Sequence, residues 1–272
     1  MKRYLGLDLG SKTVGVAISE SGIIASTLTT IRFTENQYEE AANAVSSLMK
    51  EHQIDTVILG LPKHMNNDIG IRGKISESFK VLLEEKTNKT IILWDERLST
   101  QTARKAMIYG SERRKTQKDK KDELAAVVIL QNYLDYKDKI CNFFNSNIED
   151  YKFFHPHGFS IEEFYKEIEN KNKDTYIFIE YNEKFIGYGI IRGFDSGYEL
   201  LSLGILISKE ARGKGLSFLL MNHLHELSKQ LGANKVRLTV YKENTVALSL
   251  YNKLGYKFYE KNNKELIGIK EI

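Results

Sequence analysis

Three strand-like segments with almost nothing between them open the chain, and they constrain the fold more than any other feature. Residues 3–9, 14–19 and 23–33 are rich in apolar and β-branched side chains, broken only by the turn signals Gly10-Ser11 and Ser21-Gly22. Connections that short leave no room for a crossover, so the three segments must run antiparallel. A different pattern follows. Tyr38, Ala41, Ala42, Val45, Leu48 and Met49 recur at three- and four-residue spacing, which predicts a helix over 36–52, and Thr56-Val57-Ile58-Leu59 reads as a buried strand. A helix over 73–85, a strand over 90–94, a helix over 100–108 and a last helix over 121–134 complete this half. An antiparallel meander continued by alternating helix and strand gives a mixed sheet flanked by helices, in the α/β (α+β) class.

The chain has 272 residues, and at roughly 100 to 200 residues per domain that predicts two domains. Hydrophobic residues make up 42% and charged ones 28%, enough for each half to bury a core. Residues 135–150 interrupt the periodic pattern and read as the junction, dividing a domain over 1–138 from one over 139–272. The second half predicts a helix over 160–170 opened by a Ser160/Glu163 capping box. Strands over 175–181, 185–193 and 200–207 come next, then a helix over 215–231, a strand over 235–241, a helix over 245–254 and two closing strands. No apolar run approaches the roughly 20 residues that span a bilayer, and the opening segment carries an internal Asp8, unlike a signal peptide. With a single cysteine, Cys141, these features lead to the expectation of a cytoplasmic protein that does not engage a membrane.

The net charge of +4 is evenly divided, with 21 Lys and Arg against 19 Asp and Glu in residues 1–138 and 19 against 17 in the rest. One basic cluster stands out: Arg113, Arg114, Lys115, Lys118, Lys120 and Lys121 face only Glu112 and Asp119. Such a cluster suits a phosphate backbone, and equally a solvated loop. Acidic residues meet it from several element ends. Asp8 closes the first strand, Asp95-Glu96 closes the strand before the 100–108 helix, and Asp119 or Asp122 lies where the basic cluster enters the last helix. Taken singly, each reads as a surface carboxylate or a helix cap. Gathered at one place, carboxylates repel unless a divalent cation lies among them, and oxygen ligands of this kind suit Mg²⁺.

The segments LGLDLGSKTVGVAIS, VILGLP, WDERLST and KKDELAAVVILQNYL resemble, in that order, the YqgF (RuvX) family of Holliday junction resolvases and ribosomal-RNA-processing nucleases. The resemblance covers residues 1–138 and implies a ribonuclease-H-like fold whose metal ions, Mg²⁺ or Mn²⁺, are held by Asp8, Glu96 and Asp122, with Asp119 the weaker choice of third ligand. It implies a supporting or nucleic-acid-contacting role for Asp95, Arg97, Ser99 and Thr100, and phosphate contacts from Arg72, Lys118 and Lys120. The partner would be RNA or DNA. A D-x-G strand turn also opens sugar kinases and actin-like ATPases, but those need a duplicated domain with a second phosphate loop, which is absent here.

In the second half, the run from Glu210 to Ser217 places a Gly-rich turn between an apolar strand and a helix, a place where backbone N–H groups can bind an anion. It has neither the G-x-G-x-x-G spacing of a dinucleotide site nor the Gly-Lys-Ser/Thr of a P-loop. It resembles the acetyl-CoA pyrophosphate loop of the GNAT N-acetyltransferase superfamily, Gln/Arg-x-x-Gly-x-Gly/Ala, with Arg212, Gly215 and Ser217 at the defined positions. Ser217 departs from Gly or Ala but remains small. The run VYKENTVALSLYNKLGY resembles the next motif of that superfamily. The resemblance implies backbone groups of Ile205 and Ile207 on the pantetheine arm, and Arg212, Gly213, Lys214, Gly215, Leu216 and Ser217 on the pyrophosphate. Asn244 would meet the cofactor's amide region. Tyr251 would be the general acid and Glu199 the base, acting directly or through water. The superfamily's first strand is shortened or missing at the fusion point. His155-Pro156-His157 lacks a third metal ligand nearby and reads as structural or acceptor-binding.

Together these readings give a ribonuclease-H-like mixed sheet with flanking helices fused to a GNAT fold. The leading functional reading is a bifunctional enzyme: a metal-dependent nuclease acting on precursor rRNA or junction DNA, joined to an acetyl-CoA-dependent acetyltransferase acting on a primary amine. In a second reading the first half is a binding module that delivers the acetyltransferase to a ribosome- or DNA-associated protein. In a third the acetyltransferase modifies a small amine or amino sugar and the first half is structural.

Overall fold

The computed structural model describes residues 2–63, 68–95, 117–158, 163–164, 174–195, 197 and 200–272, and within these the side chains of 117–121 and Tyr151 are left aside. The chain divides into two compact units, Met1–Lys137 and Asp138–Ile272.

In the first unit the strands are β1 (Tyr4–Leu9), β2 (Thr13–Ser19), β3 (Ser26–Arg32), β4 (Thr56–Leu61) and β5 (Thr90–Asp95), ordered β3-β2-β1-β4-β5. The first three pair antiparallel, as their short connections require, and β1, β4 and β5 run parallel through crossover helices. The third strand starts at Ser26 rather than residue 23. Ser19 Oγ and Ser21 Oγ accept N–H bonds from Gly22, Ile23 and Ile24, while Gln131 clasps Ile23 O and Ala25 N, which fixes these residues as a turn.

One face of this sheet buries Leu5, Leu7, Val57 and Leu59 against Ala41, Val45, Phe79 and Leu83 of helices α1 (Tyr38–Glu51) and α2 (Ile71–Thr87). The other face receives α3 (Gln117–Ser146). Alternation along β1 turns Tyr4, Gly6 and Asp8 toward this second face. The helix comes in where the sheet has no side chains. A Cβ on Gly6 would lie 2.6 Å from Leu130 Cβ and 2.9 Å from Ala126 O, and one on Gly15 would lie 2.1 Å from Asp122 O. Tyr133 and Trp94 continue the contact, their rings 5.4 Å apart and perpendicular.

Residues 135–146, expected as a junction, are instead the last turns of α3. Ile140, Phe143 and Phe144 are buried there, and that burial favours helix over the loop their polar neighbours suggest. The expected helix over 100–108 lies outside the described residues, as does most of the one over 160–170.

The second unit has β6 (Thr175–Tyr181), β7 (Lys184–Arg192), β8 (Leu201–Ile207), β9 (Lys235–Tyr241), β10 (Lys257–Glu260) and β11 (Glu265–Glu271), ordered β10-β11-β9-β8-β7-β6. Every pairing is antiparallel except β8 with β9. Helices α4 (Leu216–Gln230) and α5 (Thr245–Lys253) contribute Leu220, Met221, Leu224 and Tyr251 to a core with Leu203, Val236 and Leu238. A second cluster packs Phe143, Phe144, Phe164, Phe178 and His157 around the fully buried Tyr188, with Phe178 stacked on Tyr188 at 4.8 Å.

Because a backbone oxygen cannot retreat as a flexible side chain can, Gly15→Ala must push α3 off the sheet. We expect it to lower the unfolding free energy of the first unit by about 2 kcal/mol, read from urea unfolding followed by the fluorescence of Trp94, the one tryptophan of the chain.

Candidate functional site

Each unit presents a candidate site. In the first, the strand register defines one edge of the sheet. Leu7, Leu59 and Leu93 lie side by side, so Asp8 falls level with Gly60 and Trp94 at the carboxyl ends of three parallel strands. Asp8 is also directly opposite Gly15, the residue whose missing Cβ admits the backbone of Asp122. Two carboxylates from residues far apart in sequence therefore share one face and one edge. The Asp122 carboxylate is held: Thr13 Oγ1 donates to its Oδ2 at 2.8 Å. One residue along α3, Thr30 Oγ1 donates to Glu123 Oε1 at 3.2 Å and pins the helix to β3.

Asp95, in register with Leu61, alternates to the face opposite Trp94 and so away from Asp8. Arg72 is exposed in the first turn of α2, which starts beside Pro62 at the same sheet edge. Lys118 and Lys120 fall in the first turn of α3, with side chains outside those described. Glu96, Arg97, Ser99 and Thr100 lie outside the described residues. Among the described residues no group of three His, Cys, Asp or Glu side chains could hold a metal ion.

In the second unit the site is made by a parting of strands. β8 and β9 pair only at Leu201–Val236 and Ser202–Arg237 and then separate. Between them opens a cavity of about 950 Å³, lined on one side by Leu203 to Ile207 and on the other by Thr239 to Tyr241. Ser208 N–H bonds to Ile186 O, on the β7 side, so alternation turns the backbone groups of Leu203, Ile205 and Ile207 toward the gap. The Ile207 carbonyl is already engaged, accepting from Arg212 Nε at 3.0 Å.

The cavity ends on the Gly-rich turn. Gly213 and Gly215 adopt φ of 76° and 77°, and no neighbouring atom lies within 4 Å of where their Cβ atoms would be. Hydrogen bonding of α4 starts with Phe218 and Leu219 N–H on Gly215 O, so the N–H groups of Leu216 and Ser217 precede it at the positive end of the helix dipole. Gly213, Gly215 and Ser217 line the cavity, whereas Lys214 and Leu216 do not. Leu216 instead packs on the core.

Asn244, also in the lining, caps α5 by accepting from Ala247 N at 3.2 Å, which leaves its –NH₂ as the group that can meet a ligand. Tyr251 projects from α5 into the same cavity at 7% exposure, and burial pushes its phenol up to about 12. Glu199 lies outside the described residues. His155 lines the cavity beside Tyr241, while His157 shares a 2.8 Å hydrogen bond with Tyr188 in the aromatic cluster, a structural role.

Three contributions escaped the sequence. Thr13 reaches Asp122 across 109 positions, which only the register of the fold brings together. Asp150 lines the cavity and pairs with Arg212 Nη2 at 2.5 Å from within the segment read as a junction. His225, 3% exposed, shares a 2.8 Å hydrogen bond with Tyr256, whose ring lies 5.7 Å from that of Tyr251.

Residues 2–136 match the family model described as RuvX, Holliday junction resolvase. A protein of Onion yellows phytoplasma (strain OY-M), named as a pre-16S rRNA nuclease, is 50% identical over 133 residues, covering 48% of this chain and 88% of its own length. One of the same name from Bacillus subtilis (strain 168) is 45% identical over 134 residues, covering 49% of this chain and 97% of its own. The first half of the chain belongs to the RuvX family. Residues 142–256 match the model of the Acetyltransferase (GNAT) family, so the second half is a GNAT domain. Among solved structures, the PaiA N-acetyltransferase of Thermoplasma acidophilum in complex with coenzyme A overlaps 50% of this chain and 92% of its own at a TM-score of 0.43 and 16% identity. No helix among the described residues is long and apolar enough to cross a membrane.

The buried His225 of the GNAT domain carries a pH signature. Burial, assisted by Lys270 and Lys229, lowers its pKa to about 4 from 6.5. The folded form therefore stays neutral where the unfolded chain takes up a proton. Its contribution to stability is complete above pH 6.5 and is lost as pH falls toward 4, at up to about 1.4 kcal/mol per pH unit. Denaturant unfolding at a series of pH values should show this decline for the GNAT domain, and His225→Gln should flatten it.

Proposed function

We propose that the GNAT domain transfers an acetyl group from acetyl-CoA to a primary amine. The observation that carries this reading is the parted β8–β9 seam, which runs from the phenol of Tyr251 to the N–H groups at the start of α4 within one cavity. Acetyl-CoA, when bound, supplies the thioester. The start of α4 and the open glycines 213 and 215 receive its diphosphate, and the inward backbone groups of Leu203 and Ile205, with the N–H of Ile207, can pair with its pantetheine amides as a neighbouring strand would. Arg212, braced by Ile207 O and Asp150, stiffens the loop.

As the amine nitrogen bonds to the acetyl carbon and the carbon–sulfur bond breaks, Tyr251 donates its phenolic proton toward the sulfur. Its raised pKa keeps that proton in place at any working pH. Glu199 would take the proton from the amine.

Calorimetric titration of coenzyme A tests this directly. A Glu at Gly215 would be strained by the positive φ, whereas Ser217→Glu sets a negative charge in the first helical turn without strain. Wild type should bind saturably and Ser217→Glu should lose at least about tenfold in affinity; no binding by wild type refutes the assignment. With an amine acceptor in hand, Tyr251→Phe should lower kcat by about 100-fold or more while coenzyme A still binds.

For the RuvX half we propose hydrolysis of a phosphodiester in structured RNA, a pre-16S rRNA being the substrate class that the names of its relatives suggest. Asp8 and Asp122 offer hard oxygen donors on one sheet face, a set that fits Mg²⁺ or Mn²⁺, with Glu96 as the third member. The metal, when bound, would stabilise charge on the phosphate oxygens. Arg72 and the basic residues Arg97, Lys118 and Lys120 would hold the backbone of the nucleic acid. A soluble cytoplasmic protein suits such a substrate. Cleavage of precursor RNA should need a divalent ion, stop with EDTA, and be abolished in Asp122→Asn; cleavage that survives all three changes rules the reading out.

A further inference from the structure

The hydrogen bond from Thr13 to Asp122 does more than fasten a helix. We infer that Thr13 is a positioning residue for the metal-binding carboxylate of the RuvX half; this rests on the metal-dependent reading of that site. The turn between β1 and β2 is closed by Gly10 N–H on Thr13 O at 2.8 Å, which fixes the first residue of β2. A Cβ on Gly10 would lie 3.2 Å from Thr13 Oγ1, so the glycine keeps the ground beside the hydroxyl clear. From this fixed place the hydroxyl donates to Oδ2 of Asp122 at 2.8 Å.

A carboxylate with one oxygen engaged by a donor can no longer rotate freely, and Oδ1 is left as the oxygen that a cation would find. The hydroxyl supplies no charge and is no ligand itself. Its effect is to remove, before any ion arrives, the rotational freedom that binding would otherwise have to remove. Asp8 is at the other end of the same turn, two residues before Gly10, so a single tight hairpin places one carboxylate and orients the other.

Thr30 provides an internal control. Its hydroxyl also ties β3 to α3, through Glu123, one residue from Asp122. If Thr13 merely fastens the helix, loss of either hydroxyl should have the same consequence.

The experiment titrates Mn²⁺, followed by its electron paramagnetic resonance signal, into the full chain and into Thr13→Val, Thr13→Ser and Thr30→Val, at a temperature where circular dichroism shows every variant folded. Removing a group that orients a ligand typically costs 10- to 100-fold in metal affinity. Thr13→Val should weaken Mn²⁺ binding by about tenfold or more, Thr13→Ser should restore it, and Thr30→Val should leave it unchanged. Equal affinity of wild type and Thr13→Val overturns the inference, as does an equal loss in Thr13→Val and Thr30→Val. Absence of Mn²⁺ binding by wild type is a separate result, which defeats the metal reading of the site itself.

Discussion

Backbone meeting backbone is the constraint on which the first half of this protein depends. Helix α3 reaches its sheet because Gly6 and Gly15 offer no Cβ at the crossing points. Side chains at either position would hold the helix away by more than a hydrogen bond can stretch. With the helix seated, Asp122 shares a sheet face and edge with Asp8 and lies within reach of Thr13, and the aromatic pair Trp94–Tyr133 extends the contact along the helix. The chemistry proposed for this half is thus downstream of two absent methyl groups. Neither glycine has a positive φ, so conformational freedom is not why they are there.

The GNAT half reaches its site by the opposite device, a failure of two strands to stay together. β8 and β9 are held at one end by two residue pairs, and each is held on its outer side by a complete antiparallel partner. Those outer partners satisfy the sheet well enough for the middle to open. The Gly-rich turn and α5 then take up positions at the open end, since each follows directly from one of the parting strands. Tyr251 is aimed by the short helix that Asn244 caps.

Much of this was legible in the sequence. The β1–β3 meander followed from connections too short for anything else, the helix observed over 38–51 was expected over 36–52 from its apolar spacing, and the one observed over 216–230 was expected over 215–231. The Gly-rich turn was recognisable from its place between an apolar strand and a helix and from its resemblance to the GNAT pyrophosphate loop, whereas the positive φ of Gly213 and Gly215 is visible only in the structure. What escaped has a common cause, dependence on partners distant in the chain. The last turns of α3 carry Ile140, Phe143 and Phe144 at helical spacing, yet the intervening Lys, Asp and Asn residues mask that stripe until its core is present. Thr13 looks like an ordinary strand residue until register brings Asp122 to it. Ile207 was expected to offer its backbone to a ligand, and the structure shows its carbonyl already taken by Arg212, a bond no pattern of residue types announces.

A sheet that opens in its middle has an edge where edges are most dangerous. The inward N–H and C=O groups of β8 form a row that could template pairing with any extended segment, as an exposed outer strand does. Arg212 occupies the open end of that row: its Nε donates to the Ile207 carbonyl while its Nη2 pairs with Asp150, so an intruding strand would find that acceptor already engaged.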